Sequence, residues 1–201
     1  SGVESCPDVK GPDLQAVGKT LGAGYVTIAG LLISPRVRNA FVNGSKYVAG
    51  GQTYHQNAVN CYVALEIQKK IQRLGMRQNV FDKGELMGRT LTEKGLQSSK
   101  FKSIGDVRGL GGFWSIEFVK NKETKEPFDP KFKVGPKVAA KCLENGLICM
   151  GASGTIDGVL GEHICLAPQF IITEDDVKTI TDIVLKSILE VEGDLSEAGA
   201  F

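Results

Sequence analysis

Apolar residues recur along this chain with two periods, one near two residues and one near three and a half, and these divide it into strands and helices. Leu14 to Val17 is a short apolar run closed by Gly18, and Tyr25 to Ser34 is a longer, β-branched, nearly continuous one. Continuity of that kind predicts a strand buried on both faces. Lys19 then falls on a turn between two sheet strands. Pro35 opens a short helix through about Phe41. Gly44 to Tyr54 reads as loop, and Asn57 as the N-cap of the next helix. There Val59, Val63, Ile67, Ile71 and Leu74 line one face, ending at Gly75. A further helix over Met76–Lys94 carries Val80, Met87 and Leu91 on its apolar side, although Gly84 and Gly88 lower its helix propensity.

From Ile104 the period shortens. Phe113 to Val119 alternates, placing Trp114, Ile116 and Phe118 on one face and Ser115 and Glu117 on the other. Asn121 to Pro130 is a polar loop or hairpin. Val134 to Asn145 predicts a helix closed by Gly146. Leu147–Met150 and His163–Leu166 predict short strands around a glycine-rich loop, Gly151 to Gly161. Thr173 with Asp176 makes a capping box for a helix presenting Val177, Ile180, Val184, Ile188 and Val191. Residues 1–11 read as a loose lead-in, and the tail after Gly193 as frayed. The expected fold is α/β: a sheet remnant in residues 1–75, then a small α+β domain in residues 76–201, hinged near residue 75.

Composition narrows the function classes. At 201 residues the chain can bury a sizeable core. Its 42% hydrophobic and 23% charged residues are ordinary globular values. A net charge of +1 gives no electrostatic case for nucleic acid or an anionic membrane. No apolar run approaches the roughly 20 residues of a membrane span. Cys6, Cys61, Cys142, Cys149 and Cys165 form no CxxC pair. An odd, scattered set reads as reduced thiols of a cytoplasmic protein, and with only His55 and His163 to join them no zinc or other metal site is expected.

The chemistry centres on Gly18-Lys19-Thr20-Leu21-Gly22-Ala23-Gly24. A phosphate-binding P-loop would need glycine at position 13, where the chain has Asp13, and a helix opening directly after the Lys-Thr pair, where Gly22 and Gly24 intervene. That reading is rejected. A lysine on glycine-supported backbone suits a Schiff base instead: the free amine attacks an aldehyde, given burial or a nearby cation to lower its pKa, and can then relay a proton.

The order of pieces settles the comparison. Pro12-Asp13-Leu14, Gly18 to Tyr25 and Ile28-Ala29-Gly30 come first. Gly51-Gln52-Thr53-Tyr54, Asn57-Ala58-Val59 and Val107-Arg108-Gly109 follow. Ile116-Glu117-Phe118 and His163-Ile164-Cys165-Leu166-Ala167-Pro168 complete the set. In this order, from about residue 11 to about residue 192, the chain resembles the C-terminal half of the class III (omega) aminotransferases. The resemblance implies a fold-type-I architecture, part of the large cofactor domain followed by the small C-terminal domain. It implies amino-group transfer between small amine and carbonyl substrates through pyridoxal 5'-phosphate held as a Schiff base on Lys19. It also implies that Thr53 reaches across a homodimer interface to the neighbouring subunit's cofactor phosphate. Tyr25 could border the site or pack. His55 and Gln56 read as loop residues, Arg108 as a strand-end tie to a carbonyl or carboxylate, and Trp114 as core.

Two departures stand beside the match. The family's carboxylate for the pyridine nitrogen and its glycine-rich phosphate loop have no counterpart in residues 1–18, Asp8 and Asp13 being in the wrong context. No arginine follows Arg108, so a substrate α-carboxylate lacks its usual partner, and Ala167-Pro168-Gln169 stands where the family has a Pro-Pro pair. The expectation is an incomplete site, finished by a second copy or by an N-terminal aminotransferase segment. Two alternatives remain open: a truncated descendant acting as a binding or regulatory module, and a lysine pocket performing cofactor-free chemistry.

Overall fold

The computed structural model describes residues 11–201; Cys6, Asp8 and the rest of the expected lead-in up to residue 10 lie outside them. The chain is α/β and divides into two compact units between Leu74 and Gly75.

In the first unit, β1 (Leu14–Val17) and β2 (Gly30–Ile33) pair antiparallel, Leu14 opposite Ile33 and Val17 opposite Gly30. The long buried strand expected over Tyr25–Ser34 is not formed. Only its last third is strand, and Leu31 and Leu32 are 61% and 56% exposed. The physical reason is that an apolar run reports a demand for cover, while the cover must come from other layers. Among the described residues this sheet has two strands, and neither is buried.

Ser34 caps α1 (Pro35–Asn43), its hydroxyl accepting from the Val37 N–H at 3.3 Å. Asn57 caps α2 (Ala58–Arg73), its side-chain oxygen accepting from the Asn60 N–H at 3.0 Å. The apolar face expected on α2 holds through its middle, where Val63 and Ile67 are half-buried and Ile71 is buried beside Ala64, while Val59 and Leu74 at its ends are exposed.

The second unit holds the hydrophobic core. Helix α3 (Met76–Leu91) stops short of the expected Lys94; Thr92–Leu96 continues as a π-helical turn, closed by the Gln97 N–H on the Thr92 carbonyl at 2.9 Å. Strands β3 (Ile104–Leu110) and β4 (Phe113–Phe118) form a hairpin with an irregularity between Ile104 and Asp106. Helix α4 (Val134–Glu144) is followed by β5 (Met150–Ser153) and β6 (Glu162–Leu166). The antiparallel sheet runs β3-β4-β6-β5. Alternation places Ile116, Phe118, Ile164 and Leu166 in the core with Met87 and Leu91 of α3 and Val134 and Val138 of α4.

β5 starts at Met150 and not at Leu147. The backbone of Leu147 is used to end α4: Gly146 turns at φ +93° and the Leu147 N–H donates to the Cys142 carbonyl at 2.8 Å. The glycines that lower the propensity of α3 are its contact points. A Cβ on Gly84 would lie 1.8 Å from the Gly111 carbonyl oxygen, and one on Gly88 would lie 2.3 Å from the Trp114 ring. Trp114 is half-buried against the core, and its indole N–H donates to the Gly111 carbonyl at 2.8 Å.

Thr173 and Asp176 form the expected capping box for α5 (Glu174–Glu197), which buries Val177, Val184, Ile188 and Val191. The tail is not frayed: α5 passes through Gly193 to Glu197, Leu195 and Ala200 are buried, and the Phe201 ring meets Phe128 edge-on at 5.5 Å.

Candidate functional site: the Lys19 turn

Lys19–Leu21 is one turn of 3-10 helix between β1 and β2. The Leu21 N–H donates to the Gly18 carbonyl at 3.0 Å, and the Tyr25 N–H to the Gly22 carbonyl at 2.9 Å. Lys19 has φ +52° and Ala23 φ +46°, left-handed values that cost a side-chain-bearing residue about 1 kcal/mol. Gly22 is buried here, where a Cβ would come within 2.4 Å of the Val26 carbonyl oxygen. A lysine in this conformation persists only where the surroundings hold it.

Helix α2 supplies part of that hold. The Gln68 side-chain amide donates to the Thr20 and Leu21 carbonyls at 3.2 Å each, and the Asn60 amide to the Thr27 carbonyl at 2.9 Å. Neither residue carries a signal in the sequence, where both look like solvent-facing positions of an amphipathic helix. Their role emerges only because Asn60, Ala64 and Gln68 fall on one face at four-residue spacing.

The other sequence candidates are placed as follows. Thr53 is exposed in a turn over residues 53–56, which the His55 N–H helps close on the Gln52 carbonyl at 3.0 Å. Gln56 has φ +57°. Among the described residues no hydrogen bond or ion pair joins Thr53, His55 or Gln56 to Lys19. Tyr25 does not pack; it is 81% exposed at the exit of the lysine turn. Arg108, in the second unit, ties two strands as expected, donating to Asp106 Oδ2 at 2.8 Å and to Glu117. Those two carboxylates hold its guanidinium above its usual range.

Asp13 is committed elsewhere. It accepts from the Ser34 hydroxyl at 2.6 Å and pairs with Arg36, whose hydrogen bond is the main cause of its carboxyl pKa falling to about 2. Its carboxylate joins the start of β1 to the start of α1.

Pyridoxal phosphate would ask of these residues an amine for its aldehyde and a donor for its phosphate. Lys19 offers an amine that makes no hydrogen bond among the described residues, but the burial expected around it is not found, Lys19 being exposed, and Thr53 offers an exposed hydroxyl in a polar loop. A carboxylate for the pyridine nitrogen is not found on this turn, because Asp13 is engaged with Ser34 and Arg36. Among the described residues no cluster of three or more His, Cys, Asp and Glu could hold a metal ion.

Comparison with known proteins agrees with the layout. The family model for class-III aminotransferases matches residues 5–188. An uncharacterized aminotransferase of Schizosaccharomyces pombe is 35% identical over 178 residues, which cover 88% of this chain and 38% of that protein. A transaminase from the marine bacterium Virgibacillus superposes with a TM-score of 0.85 at 26% identity, covering 92% of this chain and 41% of that one. The PMP-bound aminotransferase of Vibrio fluvialis does so with a TM-score of 0.76 at 27% identity, covering 92% and 39%. The chain thus spans about two fifths of the length of the relatives it matches. With the family model matched over nearly its whole length and a fold-type-I transaminase architecture, the chain belongs to the class-III aminotransferases.

Proposed function

We propose that this chain contributes the lysine-bearing part of a pyridoxal-phosphate-dependent aminotransferase. The observation that carries the reading is Lys19 itself, in a left-handed turn between two strands within the matched family segment. Residues 1–75 then correspond to part of the cofactor domain, and residues 76–201 to the small C-terminal domain.

When bound, the cofactor supplies the electron sink that makes the C–H bond beside an amino group acidic. Lys19 is its attachment point and, as a free amine, the base that accepts that proton at Nζ and returns it. Thr53 serves the cofactor phosphate of a second copy through its hydroxyl, which makes the working unit a homodimer. The remaining cofactor contacts, the pyridine carboxylate above all, come from an N-terminal aminotransferase segment. The substrates are small amines and carbonyl compounds.

The test is an absorbance titration with pyridoxal phosphate, before and after borohydride reduction, followed by peptide mapping. The expected result is a near-ultraviolet or visible band and a reduced adduct on Lys19, both lost in Lys19→Ala. Labelling scattered evenly over the exposed lysines, alone and with an N-terminal partner added, would overturn the proposal.

A further inference from the structure

We infer that Gln68, with Asn60 two turns away on the same face of α2, is a positioning residue for Lys19. The inference rests on the reading of Lys19 as the reactive amine and names what holds it in place. Three observations on α2 converge.

The first is chemical matching. Residues that leave the ladder of β1 must find partners for their carbonyl groups, and the carbonyls of Thr20 and Leu21 directly follow Lys19. Both accept from the one Gln68 amide nitrogen, at 3.2 Å each. The second is that the far end of the same connection is held by the same helix, Asn60 donating to the Thr27 carbonyl at 2.9 Å. The third is the stripe between them. Ala64, midway between Asn60 and Gln68, is 3% exposed in a unit where most apolar side chains are exposed, so this face of α2 is the one that seats on the turn.

The lysine backbone needs such a clamp. Its φ of +52° is one that a free chain rarely visits, and among the turn's own hydrogen bonds the one on the Lys19 carbonyl, from the Gly22 N–H, is 3.3 Å long. A side-chain amide that bridges two successive carbonyls fixes the peptide planes that a relaxed turn would rotate. Asn57 in turn orders the N-terminus of α2, so the clamp is mounted on a capped helix. Gln68 touches no reacting atom in this scheme; it acts through the backbone of Thr20 and Leu21.

The experiment compares the chain with Gln68→Ala and Gln68→Lys, the latter restoring a donor of similar reach. Each protein is incubated with pyridoxal phosphate over pH 6.5 to 9, reduced with borohydride, and mapped for the adduct on Lys19 relative to that on exposed Lys46 and Lys69. Amide hydrogen exchange is read over residues 19–25. In Gln68→Ala, Lys19 labelling should fall about tenfold against the two reference lysines, as loss of two net hydrogen bonds implies, with faster exchange in the turn. Gln68→Lys should recover most of both. Equal Lys19 labelling in Gln68→Ala and the parent overturns the clamp, as does unchanged exchange in the turn. Failure of the parent itself to label Lys19 selectively overturns the function proposed above, and with it the role given to Gln68. A general loss of folding would level the same ratio, so exchange along α2 is read in the same samples: its protection should stay at the parent's level while Lys19 labelling falls, and a matching loss of protection along α2 overturns the clamp.

Discussion

Asp13 titrates at about 2 against an ordinary 3.8, first because Arg36 and then because Ser34 donates to its carboxylate. A group that binds its proton less tightly when folded stabilises the fold above its unfolded pKa and loses that contribution as pH falls through the folded one. The tie from β1 to α1 should therefore be intact above about pH 4, half protonated near pH 2 and lost below it. A carbon-detected NMR titration of the Asp13 carboxyl measures this, and a midpoint near 4 would contradict the geometry. Glu192 is a second single-residue case. One of its buried oxygens accepts from the Lys102 and Ser103 N–H groups at 2.9 and 2.6 Å and from the Ser103 hydroxyl at 2.7 Å. Glu192→Ala leaves those donors unpaired and should cost about 3 kcal/mol in urea unfolding. At this scale the sequence discloses residues with local partners, such as the Thr173–Asp176 box and the Arg108 tie. It does not disclose Gln68 or Glu192, whose partners lie 47 and 89 residues away.

Helix α3 shows how an element can be legible in outline and opaque in its reasons. Its apolar spacing marks Val80, Met87 and Leu91 correctly, yet Gly84 and Gly88 count against it on propensity alone. Their value lies in the hairpin that crosses them. Gly88→Ala would drive a methyl into the Trp114 ring and should destabilise the second unit by about 1–3 kcal/mol. Gly84→Ala should cost at least as much, because its obstacle is the Gly111 backbone and not a movable side chain. Thermal unfolding of the two variants followed by circular dichroism checks both. The strand expected from Tyr25 fails for the complementary reason: its apolar run was read without knowing whether any layer would cover it.

Across the whole chain, burial is uneven between the two units. The core cluster comes from Val80 onward, whereas Leu31, Leu32, Tyr47, Val48, Tyr54 and Tyr62 in the first unit are all more than half exposed. Regions with few buried contacts open readily. Amides of β1 and β2 should therefore exchange within seconds to minutes while those of β4, β6 and α5 stay protected far longer, which exchange mass spectrometry resolves. Exposed large apolar side chains also favour association. Sedimentation velocity should show reversible self-association that Leu31→Lys with Leu32→Lys weakens, while the protection of β4, β6 and α5 stays unchanged.

The sequence by itself determined the order of elements, the caps at Asn57 and Thr173, the alternation of β4, and the family, because these depend on neighbours within a few residues or on motif order. It also singled out Lys19. Only the tertiary structure decided that Lys19 sits in a left-handed turn bridged by Gln68, that Asp13 is spent on Arg36 and Ser34, and that the glycines of α3 admit Trp114 and Gly111. Those outcomes rest on contacts between segments distant along the chain. Periodicity states how much apolar surface a segment offers; it carries no record of which distant group will meet it.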